Sequence, residues 1–158
     1  MPTNSAALSK TIAAVRIATS VFFLLFGEYK LAGPGFAHGG FQTYLQSYIA
    51  GDAVGFYRPL LEVVVQPHAA FFAYAVGVIE SLIALSLLLG LWVRPMSVVG
   101  ALYMLHMTLC TWWSVGHGVP VWRYFGSELD HLPLLLLFLI FHAADAGRTW
   151  GWDARRKA

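Results

Sequence analysis

The stretch that decides the fold is Phe71 to Trp92, FFAYAVGVIESLIALSLLLGLW, because it is long and apolar enough to cross a lipid bilayer. A helix rises about 1.5 Å per residue, so ~20 residues span the ~30 Å hydrocarbon layer. Glu80 lies at the centre of this stretch, where a carboxylate costs ~2.5 kcal/mol or more on insertion scales. Glu80 is therefore predicted to be a functional residue whose cost is offset by a partner, a proton or a water-filled site, with an inert interhelical hydrogen bond as the alternative.

The composition of the chain is that of a membrane protein. Of its 158 residues, 58% are hydrophobic and 11% are charged, against about 25% charged residues in an average soluble domain. The net charge of +2 gives no reason to expect a nucleic-acid partner. Because Cys110 is the single cysteine, the chain can form neither an internal disulfide nor a CxxC site, and no metal site is predicted.

Four apolar segments predict four membrane-spanning helices, at residues 11–31, 69–92, 96–115 and 129–146. The ten Lys and Arg residues then divide seven to three between the two sides of the membrane. The seven are Lys10, Arg16, Arg94, Arg148, Arg155, Arg156 and Lys157, and the three are Lys30, Arg58 and Arg123. By the positive-inside rule both termini are predicted to be cytoplasmic. The expected fold is all-α, a single integral membrane four-helix bundle over residues 1–158.

The outer connection, residues 32–68, is too long for a simple loop. Its first part, FQTYLQSYIAG, has apolar residues at helical spacing, namely Phe41, Tyr44, Leu45 and Tyr48. This pattern predicts a helix in the membrane interface. The next part, FYRPLLEVVVQPH, predicts a short helical or re-entrant piece that Pro67 stops. The whole connection is interpreted as cover for the outer end of the bundle, with a docking surface for a protein partner as the alternative.

Helical geometry places Glu80 inside the bundle. It borders a stripe of small residues, which lets transmembrane helices approach closely. The stripe consists of Ala73, Gly77, Ser81 and Ala84. The turn near Arg94 is tight, and Glu80 lies 14 residues before it while His106 lies 12 residues after it. A Glu80–His106 pair at mid-membrane is therefore predicted, with Tyr103 on the same helix face as His106.

Other ionisable residues are expected in clusters at the two ends of the bundle. The outer cluster comprises Glu28, Lys30, Arg58, Asp130 and His131. At the inner end His142 and Asp145 share one stripe of the fourth span, and Arg16 is predicted to pair with Asp145. These inner residues are expected to form either a proton route or a structural pair. Arg94 and the 149–158 tail are interpreted as interfacial anchors.

Three function classes remain open. The first is a quinone-reactive redox subunit, which needs donors and acceptors in an apolar pocket. Its catalytic candidates are Glu80 and His106, and its binding candidates are Tyr103, Lys30, Glu28, Arg58 and His131. The second is a non-catalytic anchor or assembly subunit that holds a partner through the outer connection. The third is a b-type haem protein with two axial histidines.

Haem and flavin are both unexpected. His106 and His142 differ in depth by roughly 8 Å at ~1.5 Å per residue, which is awkward for axial partners. The chain also lacks a flavin or dinucleotide fingerprint and a P-loop. The first class is therefore narrowed to a quinone-reactive subunit that completes a redox reaction only together with a partner subunit.

Three stretches resemble the DoxX/DoxD group of small bacterial membrane proteins. FYRPLLEVVVQPHAAFFAYAVGVIESLIALSLLLGLWVRP, residues 56–95, combines a Pro-containing lead-in, a span with a central Glu, an LLLGL end and an Arg before the third span. GEYKL at 27–31 is similar to the group's Gly-x-x-Lys-Leu, and DAGRTWGWD at 145–153 is similar to its Gly-Arg-x-x-Gly-x-Asp tail.

This resemblance implies a four-helix bundle in the bacterial inner membrane and a link to respiratory redox chemistry, including the membrane subunit of thiosulfate:quinone oxidoreductase. It also implies that Lys30, Glu80 and Arg94 occupy the group's recurrent polar positions. The resulting hypothesis is a membrane subunit or partner in quinone-linked electron transfer, with quinone as the cofactor.

Overall fold

The computed structural model describes residues 3–33, 35–112 and 131–155, and all regular secondary structure in these ranges is helical. The helices are α1 (Thr3–Ala32), α2 (Phe41–Ser47), α3 (Arg58–Leu60), α4 (Ala69–Leu89), α5 (Val93–Cys110) and α6 (His131–Ala143). The all-α prediction is confirmed. The expected ends of the third and fourth spans at 113–115 and 129–130 lie outside the described residues, as do Arg123, Asp130, Arg156 and Lys157.

Two helical runs, Ser5–Ala32 and Arg58–Leu89, are long and apolar enough to cross a membrane. The second run contains Pro67, but α4 begins only at Ala69, after His68 leaves the helical region with φ of −118° and ψ of 30°, so the predicted short piece does end near Pro67. A π turn at Leu61–Val65 and a 3₁₀ turn at Gln66–His68 join α3 to α4. Proline lacks an N–H and crowds the preceding turn. The helical pitch therefore changes around Pro67, and the backbone kinks at His68 before α4 begins.

The small-residue stripe of α4 packs against α1, as its spacing predicts. Ala73 and Ala84 are fully buried. A Cβ atom added to Gly77 would lie 2.8 Å from the Leu31 side chain, and one added to Gly27 would lie 2.4 Å from Ser81 Oγ. Helices α1 and α4 therefore run in close contact along their length, while α5 packs mainly along α6.

Helices α1, α4, α5 and α6 share one core and expose apolar side chains on the faces that point away from it. The core includes Phe23, Ile83, Leu87, Tyr103, Met104, Phe138 and Phe141. The exposed set includes Phe22, Leu25, Leu82, Leu102 and Leu136. An apolar surface of this extent is costly in water and suits the hydrocarbon of a bilayer.

The 35–68 segment folds over one end of the helices, called here the loop end. Its predicted first helix is present as α2, although the turn at Tyr48–Asp52 continues it with π geometry. Leu45, Leu61 and Val65 form a second apolar cluster that includes Cys110 of α5. The segment is therefore packed against the loop-end parts of α4 and α5, as its interpretation as cover requires.

The opposite end, called here the tail end, carries the α4–α5 turn and residues 144–155. Asp153 returns to this turn, where its two carboxylate oxygens accept hydrogen bonds from the backbone N–H groups of Trp92 and Val93 at 2.9 Å each. The N–H of Asp153 in turn donates to the Gly90 carbonyl oxygen at 2.8 Å. The tail thus caps the first turn of α5, so its interpretation as a mere interfacial anchor is wrong over the described part.

Candidate ligand cavity and its buried ion pair

Glu80 is buried on α4, with 3% of its surface exposed. Its Oε1 atom forms an ion pair with Lys30 Nζ of α1 and accepts a hydrogen bond from the Tyr103 hydroxyl at 2.6 Å. The Oε2 atom is buried and has no hydrogen-bond partner within the part of the chain that the structure describes. The cost of the carboxylate is therefore offset by a cation and a phenol, and the predicted Glu80–His106 pair is wrong.

The Glu80–His106 pairing assumed that Glu80 faces α5, the helix that follows α4 through the tight turn. Glu80 borders the small-residue stripe, and the helix packed on that stripe is α1. The close approach of Gly27 to Ser81, and of Gly77 to Leu31, sets a register that brings Lys30 beside Glu80. The stripe itself was thus a signal that the partner of Glu80 would come from the helix that packs against it.

Lys30 connects the ion pair to a cavity. Its side chain is 17% exposed, and its Nζ atom lies 5.8 Å and 5.6 Å from the ring centroids of Phe26 and Phe36. Cation–π contacts at such distances add to the stabilisation that Glu80 provides. An ammonium group has three N–H donors, so Lys30 keeps donors for a ligand after binding Glu80.

His106 lies on the same wall of the cavity but has different partners. Its Nδ1 atom is 2.5 Å from the Tyr57 hydroxyl oxygen, and its Nε2 atom is 3.7 Å from Cys110 Sγ. The rings of His106 and Tyr103 are stacked, with centroids 6.5 Å apart. Tyr57 was not among the predicted site residues, because no periodicity relates the 35–68 segment to α5. Burial, reinforced by the nearby Cys110, raises the pKa of the Tyr57 phenol, so this group holds its proton at neutral pH.

The cavity has a volume of about 550 Å³ and lies between the loop-end halves of α1, α4 and α5 and the 35–68 segment. Most of its wall is aromatic or aliphatic, with contributions from Phe26, Tyr29, Phe36, Phe41, Tyr44, Leu45, Tyr48, Leu61, Val65, Phe72, Ala75, Val76, Ile79 and Met107. Its polar wall residues are Lys30, Tyr103, His106, Cys110 and His131. An apolar pocket with a few convergent polar groups is the usual form of a small-molecule site.

Two members of the predicted outer cluster, Glu28 and Arg58, do not line the cavity, and Asp130 lies outside the described residues. Glu28 is exposed and lies off the cavity wall. Arg58 donates hydrogen bonds to the backbone carbonyls of Gly51 and Ala53 at 2.8 Å each, so it holds the loop backbone in place. Of the predicted binding residues, Lys30, Tyr103 and His131 line the cavity, whereas Glu28 and Arg58 do not.

Arg16, at the tail end, has no exposed surface. Its Nη2 atom lies 3.4 Å from the carbonyl oxygens of Thr149 and Trp150. The predicted Arg16–Asp145 pair is wrong, because Asp145 instead accepts a hydrogen bond from Arg148 Nε at 2.6 Å. Asp145 has a left-handed backbone, with φ of 47°, and this turn directs its side chain to the neighbouring arginine.

His142 and Arg94 also meet at the tail end. The His142 Nδ1 atom lies 3.1 Å from the Arg94 carbonyl oxygen, and the Arg94 side chain is exposed. These contacts are of the structural kind that the sequence left open for His142 and Asp145. No group of three or more His, Cys, Asp or Glu side chains suited to a metal ion occurs in residues 3–33, 35–112 and 131–155.

The comparison with protein families gives one match, to DoxX, over residues 11–115. The matched range contains the ion pair, Tyr57, Tyr103, His106 and most of the cavity wall. No curated protein and no solved structure matches the chain.

Proposed function

The chain belongs to the DoxX family, and from that premise we propose that it binds a quinone or a similar amphipathic ring and acts as a membrane subunit or partner in quinone-linked electron transfer. Family membership and two apolar helical runs of spanning length indicate a membrane protein. The proposal extends this to a bacterial inner-membrane bundle of α1, α4, α5 and α6. The seven-to-three division of Lys and Arg supports cytoplasmic termini.

The observation that carries the proposal is the cavity. Its volume of about 550 Å³ falls within the range of about 300–1,000 Å³ that is usual for small-molecule pockets. Aromatic side chains line it, and these favour stacked or edge contacts with a flat ring. Lys30 and His106 supply polar groups on the same cavity, as the oxygen atoms of a quinone ring require.

The buried carboxylate has two roles in this proposal. It compensates the charge of Lys30, which keeps an ammonium group at an otherwise apolar wall. Its Oε2 atom has no hydrogen-bond partner among the described residues, so it can take up a proton during turnover, and the charge pairing with Lys30 is then lost until the proton is passed on. When a quinone is reduced it takes up two electrons and two protons. We assign the two electrons to a redox group of a partner protein. We assign both protons to the solvent, passed one at a time through Glu80 and Tyr103 to the ring.

The partner is proposed to contact the 35–68 segment. This segment forms part of the cavity wall, so a protein bound there would lie close to the ring. Phe56 and Val63 expose 74% and 73% of their surfaces and are the side chains offered to such a contact. A purely anchoring subunit would use the same surface without binding a quinone, and ligand binding therefore separates the two functions.

A cavity-filling substitution tests the proposal. Ala75 lines the cavity, and Ala70 lies on the exposed face of the same helix. In lipid nanodiscs, calorimetric titration with ubiquinone-1 should show binding to the wild type and at least about tenfold weaker binding to Ala75→Phe, because the added ring occupies ligand space. Ala70→Phe should bind as the wild type does. Equal affinities in both variants, or no binding to the wild type, would overturn the proposed function.

An absorption spectrum of the purified protein tests the haem alternative. The proposal expects no stoichiometric haem. A Soret band that disappears in His106→Ala would assign the cavity to haem instead of quinone.

A further inference from the structure

We propose that Tyr57 is a positioning residue that holds His106 in a single tautomer, so that the cavity presents the Nε2–H of His106 to a carbonyl oxygen of the ligand. The inference rests on the proposed function for its ligand, a quinone. It predicts that Tyr57 and His106 make the cavity bind the oxidised ring more tightly than the reduced ring.

The hydrogen bond between Tyr57 and His106 carries the inference. The Tyr57 hydroxyl lies 2.5 Å from His106 Nδ1 and makes no other hydrogen bond with the described residues. A neutral imidazole has one donor and one acceptor nitrogen, and a phenol needs an acceptor for its proton. If the hydroxyl donates to Nδ1, both groups are satisfied and the imidazole proton resides on Nε2.

The backbone around Tyr57 holds its ring in place. The N–H of Tyr57 donates to the Val54 carbonyl at 2.8 Å, and the N–H of Val54 donates to the Leu109 carbonyl of α5 at 3.0 Å. Arg58 then fixes the preceding loop through Gly51 and Ala53. Tyr57 is thus tied to the same helix that carries His106, and the edge-on contact of the two rings, at 5.6 Å between centroids, is held from both sides.

The donor pattern of the cavity indicates the oxidised ring. The ammonium group of Lys30 is always a hydrogen-bond donor. The Tyr103 hydroxyl already donates its hydrogen bond to Glu80 and has no second proton to donate to a ligand. The His106 Nε2 atom lies 3.7 Å from Cys110 Sγ, which is only a weak acceptor, so Nε2–H is a second donor that a ligand oxygen can take from the sulfur. Quinone carbonyls are acceptors and match these groups, whereas a quinol must also find acceptors for its two hydroxyl protons.

The tautomer can be measured without any ligand. Protein with ¹⁵N-labelled histidine, in detergent micelles, gives separate nitrogen signals for the two tautomers, and His106→Gln identifies the signals of His106. The wild type should carry the proton on Nε2. Tyr57→Phe should shift His106 towards a mixture of tautomers, whereas Tyr74→Phe, on the exposed face of α4, should leave it unchanged. A proton on Nδ1 in the wild type would overturn the inference.

The ligand preference is measured with duroquinone and its hydroquinone as probes. Tyr57→Phe should weaken the binding of duroquinone by about fivefold, the usual worth of one neutral hydrogen bond, and should change the affinity for the hydroquinone less. Tyr74→Phe is again the control. An unchanged ratio of the two affinities in Tyr57→Phe would overturn the inference. If the wild type binds neither probe, the proposed function fails, and the tautomer measurement still decides whether Tyr57 sets the state of His106.

Discussion

Helix α1 buries one cation near each end of the molecule, and the two cations are held in different ways. Arg16 has no exposed surface and meets the backbone carbonyls of Thr149 and Trp150 at the tail end. Lys30 is 17% exposed, meets the carboxylate of Glu80 and faces the cavity at the loop end. Both ends solve the same problem of a buried charge, and within the described residues the loop end also borders a cavity of about 550 Å³.

The tail end is tightly packed around its arginine. Gly90 has a left-handed backbone, with φ of 62°. A Cβ atom at this position would lie 2.2 Å from Arg16 Nη1 and 2.5 Å from the Cα of Gly151. The difference between the ends teaches that a buried charge can serve packing alone, as Arg16 does, or can border a cavity, as Lys30 does. Buried polarity at the tail end serves to hold the tail on the α4–α5 turn.

The largest effect is expected when the ion pair at the loop end is broken on one side. Glu80→Leu leaves Lys30 without its buried counter-charge, and loss of one partner of a buried pair costs about 3–5 kcal/mol of unfolding free energy. The measurement is chemical unfolding in detergent micelles. The double variant Lys30→Met with Glu80→Leu should recover most of the loss. If the double variant is as unstable as Glu80→Leu alone, the unpaired charge of Lys30 is not the cause of the lost stability.

The tail end should be nearly as sensitive to a single added methyl group. Gly90→Ala must displace Arg16 or Gly151 and also strains a backbone with positive φ, so it should cost about 2–4 kcal/mol of unfolding free energy. Gly55→Ala is the matched control, since nothing lies within 4 Å of its added Cβ atom. Thermal unfolding of the two variants compares them directly. Equal stabilities would mean that the tail does not pack tightly against the turn.

A smaller effect is expected for the cap of α5. Asp153→Asn keeps one acceptor oxygen for Trp92 and Val93 but removes the charge near the helix N-terminus, so it should cost about 1–2 kcal/mol. Asp145→Asn disturbs only the partly exposed pair with Arg148, and such pairs contribute about 0–1 kcal/mol. A larger loss in Asp145→Asn than in Asp153→Asn would reverse the ranking of the two carboxylates.

The smallest effect is expected for ligand affinity when the tail end is changed. Folded Gly90→Ala and Asp153→Asn should bind ubiquinone-1 within about twofold of the wild type, because their contacts lie at the opposite end from the cavity. Titration in nanodiscs at a temperature where each variant is folded provides the measurement. A tenfold loss of affinity in either variant would show that the packing of the tail end is coupled to ligand binding at the loop end.

Much of the fold follows from local sequence properties. The apolar runs predict the long helices, the small-residue stripe predicts a close helix contact, and the spacing around Leu45 predicts α2. Glu80 stands out because a carboxylate in a long apolar run is costly wherever the other helices lie. These properties depend on length, hydropathy and periodicity, which are visible in one segment at a time.

The partners of the polar residues required the tertiary structure. The sequence by itself determined that Glu80 must be compensated, since the cost of its desolvation belongs to its own helix. The packing of α1 on α4 decided that Lys30 compensates it, and the fold of the 35–68 segment decided that Tyr57 binds His106. The physical reason is that each such contact depends on the register and rotation of two separate segments. Close packing between helices sets that register, and hydropathy along one chain carries no measure of it.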